Sequence, residues 1–260
     1  MKKWIALILT LVMAATLLAG CGGTKNDVEK VKEKGKLVVG MTDFAPMDYQ
    51  EEGSDEWIGF DADMAKAFAE YLGVKAEFVE ITWANKATEL STGAIDVVWN
   101  GMTLNDEVRG LMGTGVAYCR NAQVVVVNKD VADQYATTDS LSSLKFAVEQ
   151  GSAGAEALDD LGITYTGCDT QAKALMEVAA GAADACVIDL LMAGAMIGEG
   201  TSYPQLTVAV ELAGEEYGVG FRKESALIDE FNTFWKQAYD SGKVMQVAEQ
   251  YGIAQNIIAQ

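Results

Sequence analysis

Short apolar runs alternate with longer amphipathic stretches from about residue 27 onward. The charged segment "DVEKVKEKGK" predicts a helix of one to two turns ending at Gly35, and "LVVGM" follows as a buried strand. An acidic, aromatic loop, "TDFAPMDYQEEGSDEW", separates that strand from "GFDADMAKAFAEYLG". There, Met64, Ala67, Phe68, Tyr71 and Leu72 share one helical face, with Asp61 placed as the N-cap and Gly73 as the stop. "VKAEFVEI" is a further strand. The order strand, loop, helix, strand implies a parallel α/β layer.

An internal echo extends the pattern. "ELSTGAIDVVWNG" (Glu89 to Gly101) and "EVAAGAADACVID" (Glu177 to Asp189) share Glu-x-x-x-Gly-x-x-Asp at an offset of 88 residues. Each reads as a helix end, a glycine stop, a short turn carrying Asp, and a buried strand, which suggests two similar α/β lobes rather than one long sheet. "AQVVVVNKD" and "LTVAVELAGEEYGVGFRK" are long enough to cross between them. Two crossings return the chain to the first lobe, where "FNTFWKQAYDSGKVMQVAEQYG" supplies closing helices. The expected division is a first lobe over residues 36–122, a second over 123–212 and a return over 213–260. The fold class is α/β, two-lobed, with two crossing hinge segments and a cleft between the lobes. Ligands of α/β sheets sit beyond the carboxyl ends of strands. The candidate site therefore gathers Asp43 to Tyr49, Trp83, Asn100 to Arg109 (with Gly101, Met102 and Thr103), Gly151 to Ala153, and Asp189.

Composition narrows the function. With 260 residues, half of them hydrophobic, the chain is ample for a packed core. A formal net charge of −19 repels phosphate backbones and disfavours nucleic acid as a partner. There is no histidine, which removes the commonest general base and metal ligand. Carboxylate or lysine catalysis stays open; no cofactor and no metal are expected.

The N-terminus adds an address. Lys2 and Lys3 precede sixteen mostly apolar residues, Trp4 to Ala19, at or below the usual length of a membrane-spanning helix. The run "LAGC" resembles a bacterial lipobox. That resemblance implies a signal peptide over residues 1–20, cleavage before Cys21 and diacylglycerol on its sulfur. Residues 21–35 would then form a lipid-anchored tether and short helix, and multiple acyl chains make a stable anchor. Cleavage takes the formal charge from −19 to −21, because Lys2 and Lys3 leave. Cys119, Cys168 and Cys186 remain, an odd number without C-x-x-C spacing, so at least one thiol is unpaired within the chain. Cys186, in the apolar "ACVID", reads as a small core residue.

From about Gly35 to its end the chain resembles the solute-binding proteins of bacterial ABC importers, in the polar amino acid branch. The carriers are "KLVVGMTDFAPMDY", "GFDADMAKAFAEYLG", "ATELSTGAIDVVWNGMT", "AVEQGSAGAEAL", "GAADACVIDLLMAG" and "EEYGVGFRK", in that order. The resemblance implies capture by closure of two lobes on a small zwitterion, with the closed form docking on a membrane permease. It also implies a monomer tethered outside the cytoplasm. A ligand that bridges both lobes binds the closed state better and so shifts the hinge equilibrium.

An amino acid needs an N–H-rich or cationic cradle for its carboxylate and an acid for its ammonium. Asp189 matches the family position that holds the ammonium; its other reading is the N-cap of "LLMAGAMIG". Gly151, Ser152 and Ala153 can aim backbone N–H groups at a carboxylate ahead of a helix expected from Ala155, or form an ordinary capped turn. By the resemblance, Phe44 or Tyr49 and Trp83 sandwich the ligand's side chain. Strand alternation turns Trp99 into the core. Asp43 reads as a contact to an ammonium or as a solvated loop acid. The family's Thr-x-x-Arg clamp is displaced here: Val108 holds the clamp position and arginine arrives one residue later, at Arg109. One residue is about 100° of helical rotation, so the clamp reading of Arg109 and a surface reading both stand. Arg120 and Lys86 are substitute cations, each more readily read as a solvated surface charge. The competing functions are a carboxylate-dependent, dehydratase-like enzyme with Glu149 as base, or a sensor lipoprotein on the same fold.

Overall fold

The computed structural model describes residues 26–260. The expected signal peptide, the expected lipidation site Cys21 and the start of the expected tether lie outside the described residues.

The chain opens with α1 (Asp27–Lys34), where Asn26 and Glu29 form a reciprocal capping box and Gly35 turns the end left-handed. Next come β1 (Lys36–Met41), the two-residue β2 (Tyr49–Gln50) and β3 (Trp57–Ile58), α2 (Phe60–Leu72) and β4 (Lys75–Glu80). α3 (Lys86–Thr92), β5 (Val97–Thr103), the six-residue α4 (Asp106–Leu111), β6 (Gly113–Thr114) and β7 (Cys119–Asn128) complete the first pass. β8 (Phe146–Glu149), α5 (Ala153–Asp160), β9 (Tyr165–Cys168), α6 (Gln171–Ala179), β10 (Ala185–Asp189) and α7 (Leu190–Met196) build the other half. β11 (Leu206–Phe221), α8 (Leu227–Asp240) and α9 (Lys243–Gln250) close the chain.

The strands follow the order β4-β1-β5-β11-β7-β10-β8-β9. Each end of this path is a parallel α/β layer: β1 runs parallel to β4 and β5, and β8 parallel to β9 and β10. The crossing segments are β7 and β11. They pair antiparallel from Leu206↔Asn128 to Tyr217↔Cys119, with register breaks at Val208/Val210 and Glu211/Gly214. Two lobes are therefore present, yet one hydrogen-bonded path runs through both, because the two crossing strands pair with each other instead of running apart.

The sequence echo is a repeated joint. Asp96 and the backbone of Val38 exchange two bonds, with the Asp96 carboxylate accepting the Val38 N–H at 2.8 Å and the Asp96 N–H donating to the Val38 carbonyl at 2.8 Å. Asp184 repeats this on Lys145 at 2.9 Å each way. Both sit just after a left-handed glycine, Gly93 or Gly181.

Two expectations about α2 are corrected. Asp61 is not its N-cap: Gly59 holds that place, and the Asp61 carboxylate is buried, accepting the Gly101 N–H at 2.6 Å and the Tyr118 hydroxyl at 2.7 Å. Tyr71 is 40% exposed, because the buried stripe falls on Met64, Phe68 and Leu72. Trp99 enters the core as alternation implied, edge-to-face on Phe231 with centroids 5.2 Å apart. Cys186 is a buried core residue, and all three cysteines of the described region are free thiols. No helix among the described residues is long and apolar enough to cross a membrane.

Candidate functional site

A cleft lies between the carboxyl ends of the two parallel layers. One lobe contributes Trp83, Lys86, Asn100 to Thr103, Asn105, Glu107 and Val108; the other contributes Glu149, Gly151 to Ala153, Gln171 and Asp189, with Gln123 on the crossing strand β7. Trp83, Asn100, Gly101, Met102, Thr103, Gly151, Ser152, Ala153 and Asp189, all expected here from the sequence, thus converge.

Four expected residues lie elsewhere. Phe44 is buried in the core, edge-to-face on Tyr217 and packed under Gly101, because its loop folds back through paired bonds with Asp48. Tyr49 stands on the β2–β3 ribbon, edge-to-face with Tyr251. Asp43 is an exposed loop acid, its carboxyl raised by partial burial and by the neighbouring Glu80 charge. Arg109 sits in the last turn of α4, exposed, and its Nε donates to the Leu104 carbonyl at 3.2 Å. Val108 takes the cleft-facing position instead. The displaced arginine has rotated out, as one residue of helix requires. Arg120 is also exposed.

The cation in the cleft is Lys86, which is no surface charge. It opens α3 with 9% of its surface exposed and lies 4.9 Å from the Trp83 ring centroid. Nζ donates across the cleft to the Gly151 carbonyl at 2.8 Å and to the Trp83 carbonyl at 3.4 Å. Burial lowers its pKa, against the opposing pull of Glu107, Glu149 and Glu156. An ammonium has three donors, so one N–H remains beyond these two carbonyls. The sequence signal was weak: a lysine after "TWAN" looks like any helix-opening lysine until the fold brings Gly151 opposite it.

Ser152 caps α5, which starts at Ala153 rather than Ala155; its hydroxyl accepts the Ala155 N–H at 3.2 Å. The first turn of α5 thus faces the cleft with its positive end. Gly151 is the point of closest approach. At φ +72° it leaves room for Ala84 of the facing lobe, whose Cα would stand 2.8 Å from any Cβ at that position. Asn105 of α4 also reaches over, donating to Glu156 of α5 at 2.5 Å. The lobes touch on both sides of the cleft.

Asp189 ends β10 and occupies the N-cap position of α7, but its carboxylate makes no capping bond to α7. Asn121 caps instead, accepting the Leu191 N–H at 3.1 Å. The Asp189 carboxylate accepts from Asn121 at 2.5 Å, Gln123 at 2.9 Å, the Tyr217 hydroxyl at 2.6 Å and the Gln171 amide. Burial, then the Glu215 charge beside it, push its pKa well above the usual range. Asn100, expected as a ligand contact, spends its side chain on Thr42 and Asp48, fixing the end of β1.

Glu149 was weighed in the sequence only as an enzyme base. It closes the buried strand "FAVE" at 2% exposure, and its Oε1 has no hydrogen-bond partner. Burial raises its carboxyl to about 8, against the Lys86 charge and hydrogen bonds from Thr42 and Gln171. The signal was legible: an acid ending an apolar strand is rarely buried without a task.

The family profile of the bacterial extracellular solute-binding proteins, family 3, matches residues 37–254. The chain belongs to that family. Among family-3 relatives, the "Arginine-binding extracellular protein ArtP" of Bacillus subtilis is 28% identical over 96% of this chain and 98% of its own. The "Glutamine-binding protein" of Geobacillus stearothermophilus is also 28% identical, over 86% and 94%. Among solved structures, a mutant of ArgBP from T. maritima aligns with TM-score 0.80 at 31% identity over 86% of this chain and 98% of its own. An "ancestral amino acid-binding protein", described as a precursor of cyclohexadienyl dehydratase, aligns with TM-score 0.77 at 30% identity, with the same coverage. The two-lobed cleft is thus that of a family-3 solute-binding protein.

Proposed function

We propose that the protein is an extracytoplasmic receptor of an ABC importer that captures a polar amino acid by closing its lobes. The observation that carries this reading is the cleft itself: a lysine from one lobe, and a helix N-terminus and a buried acid from the other, line one cleft between two lobes joined by two strands, the first two suited to a carboxylate and the acid to an ammonium. Lys86 and the first turn of α5 hold the ligand carboxylate, Asp189 meets the ammonium, and Trp83 covers the side chain. Because these groups come from both lobes, the ligand favours the closed arrangement. The lipid on Cys21 keeps the receptor, a monomer, beside its permease in the membrane. The relatives named for binding arginine and glutamine support this reading.

The test is calorimetry of the ligand-free protein against the twenty amino acids, with dicarboxylates, polyamines and short peptides as controls. Micromolar or tighter binding, about −8 kcal/mol or better, is expected for at least one amino acid. Silence across the amino acids overturns the reading. A dehydratase-like reading has one specific support, the buried Glu149 with its raised carboxyl in a chain resembling a dehydratase precursor. Turnover of a bound amino-acid-like substrate decides between the two.

A further inference from the structure

We propose that Glu149 receives a second positive group of the ligand, so that the cleft selects cationic amino acids over neutral and acidic ones. This rests on the receptor reading above and adds the ligand class. Three observations carry it. Glu149 lines the cleft at 2% exposure with Oε1 unpartnered, although a buried polar oxygen without a hydrogen-bond partner is unfavourable. A ligand ammonium or guanidinium removes that penalty. The nearby lysine does not: Lys86 gives its bonds to the Gly151 and Trp83 carbonyls, and Glu149 forms no ion pair among the described residues.

The other acid of the inner cleft is already engaged. Asp189 accepts from Asn121, Gln123, Tyr217 and Gln171, which leaves it room for one ligand ammonium at most. A ligand with two positive groups therefore needs a second acceptor, and Glu149 is the one with a vacant oxygen. The balance of charge agrees. Glu107, Glu149 and Asp189 line the cleft against Lys86 alone. One ligand carboxylate is matched by Lys86, and a second would face three acids.

The groups facing Glu149 also define how it titrates. Lys86 stands across the cleft on α3, Thr42 follows β1, Gln171 opens α6 and Asp189 ends β10, while Cys168 pairs with it in register on β9. With its carboxyl raised by burial, Glu149 holds a proton near neutrality in the empty site. A cationic group docking on it displaces that proton to solvent.

The experiment is titration calorimetry of the purified ligand-free protein with arginine, lysine, glutamine and glutamate, repeated in two buffers of different ionisation enthalpy. Wild type is expected to bind arginine or lysine about tenfold or more tighter than glutamine, with net proton release. Glu149→Gln should reduce that preference to about threefold or less, with its thermal unfolding transition reporting a folded chain. Glu149→Asp, which keeps the charge, should preserve the order of ligands. Preference for neutral or acidic ligands in wild type, or an undiminished cationic preference in Glu149→Gln, overturns the inference and leaves the receptor standing. Absence of any amino acid binding overturns the receptor reading and the inference together.

Discussion

At the scale of the residue, a shift of one position decides which cation serves the cleft. Arg109 sits on the outer side of a six-residue helix with its Nε on the Leu104 carbonyl, and Lys86, from the same lobe, is the cation that lines the cleft. Arg109→Ala is therefore expected to change ligand affinity by less than about twofold, whereas Lys86→Met should weaken it about tenfold or more, the worth of one charge-assisted bond. Asp189→Ala should be more damaging than either, because it strands the buried Tyr217 hydroxyl and Gln171 amide as well as the ligand ammonium, while Asn121 and Gln123 keep Glu215; calorimetry and thermal unfolding on the three variants give the order. Equal large losses for Arg109→Ala and Asp189→Ala would show that the arginine reaches the ligand after all. The displacement of Arg109 was legible in the spacing after Gly101-Met102-Thr103, but the replacement was not. Lys86 is separated from Gly151 by 65 residues, and nothing local to "TWANK" announces that contact. Phe44 was misplaced for a related reason: a loop aromatic beside a strand end reads as a ligand wall until backbone bonds between Phe44 and Asp48 turn it inward.

At the scale of the element, the echo at Glu89 and Glu177 shows how a local pattern becomes a joint. In both lobes a left-handed glycine ends a helix, and three residues later an Asp accepts the N–H of a residue at or just before the neighbouring parallel strand. The same motif sits in different surroundings. Asp96 is 4% exposed and also pairs with Lys34 and Arg222, while Asp184 is exposed. Asp96→Ala should thus destabilise by about 2–4 kcal/mol and Asp184→Ala by about 0.5–1.5, since only the first leaves a buried N–H and the Lys34 ammonium unmatched, Arg222 keeping its pair with Asp27. Denaturant titration of both variants tests this, and equal losses would mean that the turn, not its surroundings, carries the energy. Closure is also an element-scale property. A Cβ at Gly151 would stand 2.8 Å from the Ala84 Cα and adopt φ +72°, so Gly151→Ala should hold the lobes apart. Small-angle scattering at saturating ligand should then show a larger radius of gyration than wild type, with weaker binding. The alternation of strands and helices, including the crossing pair, was legible because its apolar runs have the right lengths. The continuity of the sheet was not, because pairing between β7 and β11 is set by tertiary contact and leaves no periodicity of its own.

At the scale of the whole molecule, the acids give the fold a direction in pH. Burial raises the carboxyl of Asp61 to about 7, even with the Gly101 N–H and Tyr118 hydroxyl pulling it down, and that of Glu149 to about 8. Asp48, through burial and the Asp61 charge, and Asp189, through burial and the Glu215 charge, shift the same way. Asp27 is opposed: despite its burial, bonds from Ser225 and Arg222 lower it. An acid raised in the folded state keeps a proton that the unfolded chain has already released. Between roughly pH 4, where an unfolded carboxyl ionises, and pH 7–8, the folded state therefore binds more protons, and stability falls as pH rises. The formal charge of −19 acts in the same sense, because self-repulsion grows as the carboxylates ionise. Ligand-free protein should unfold at a temperature higher at pH 5 than at pH 8, by about 5–10 °C if the net effect is a few kcal/mol. A cationic ligand should narrow that gap, since its charge replaces the proton on Glu149, and Glu149→Gln should narrow it without ligand. An unfolding temperature that is flat or rises across this range would mean that water reaches these carboxylates. The cleft would then lack the dry, acid-lined interior on which both closure and the choice of a cationic ligand depend.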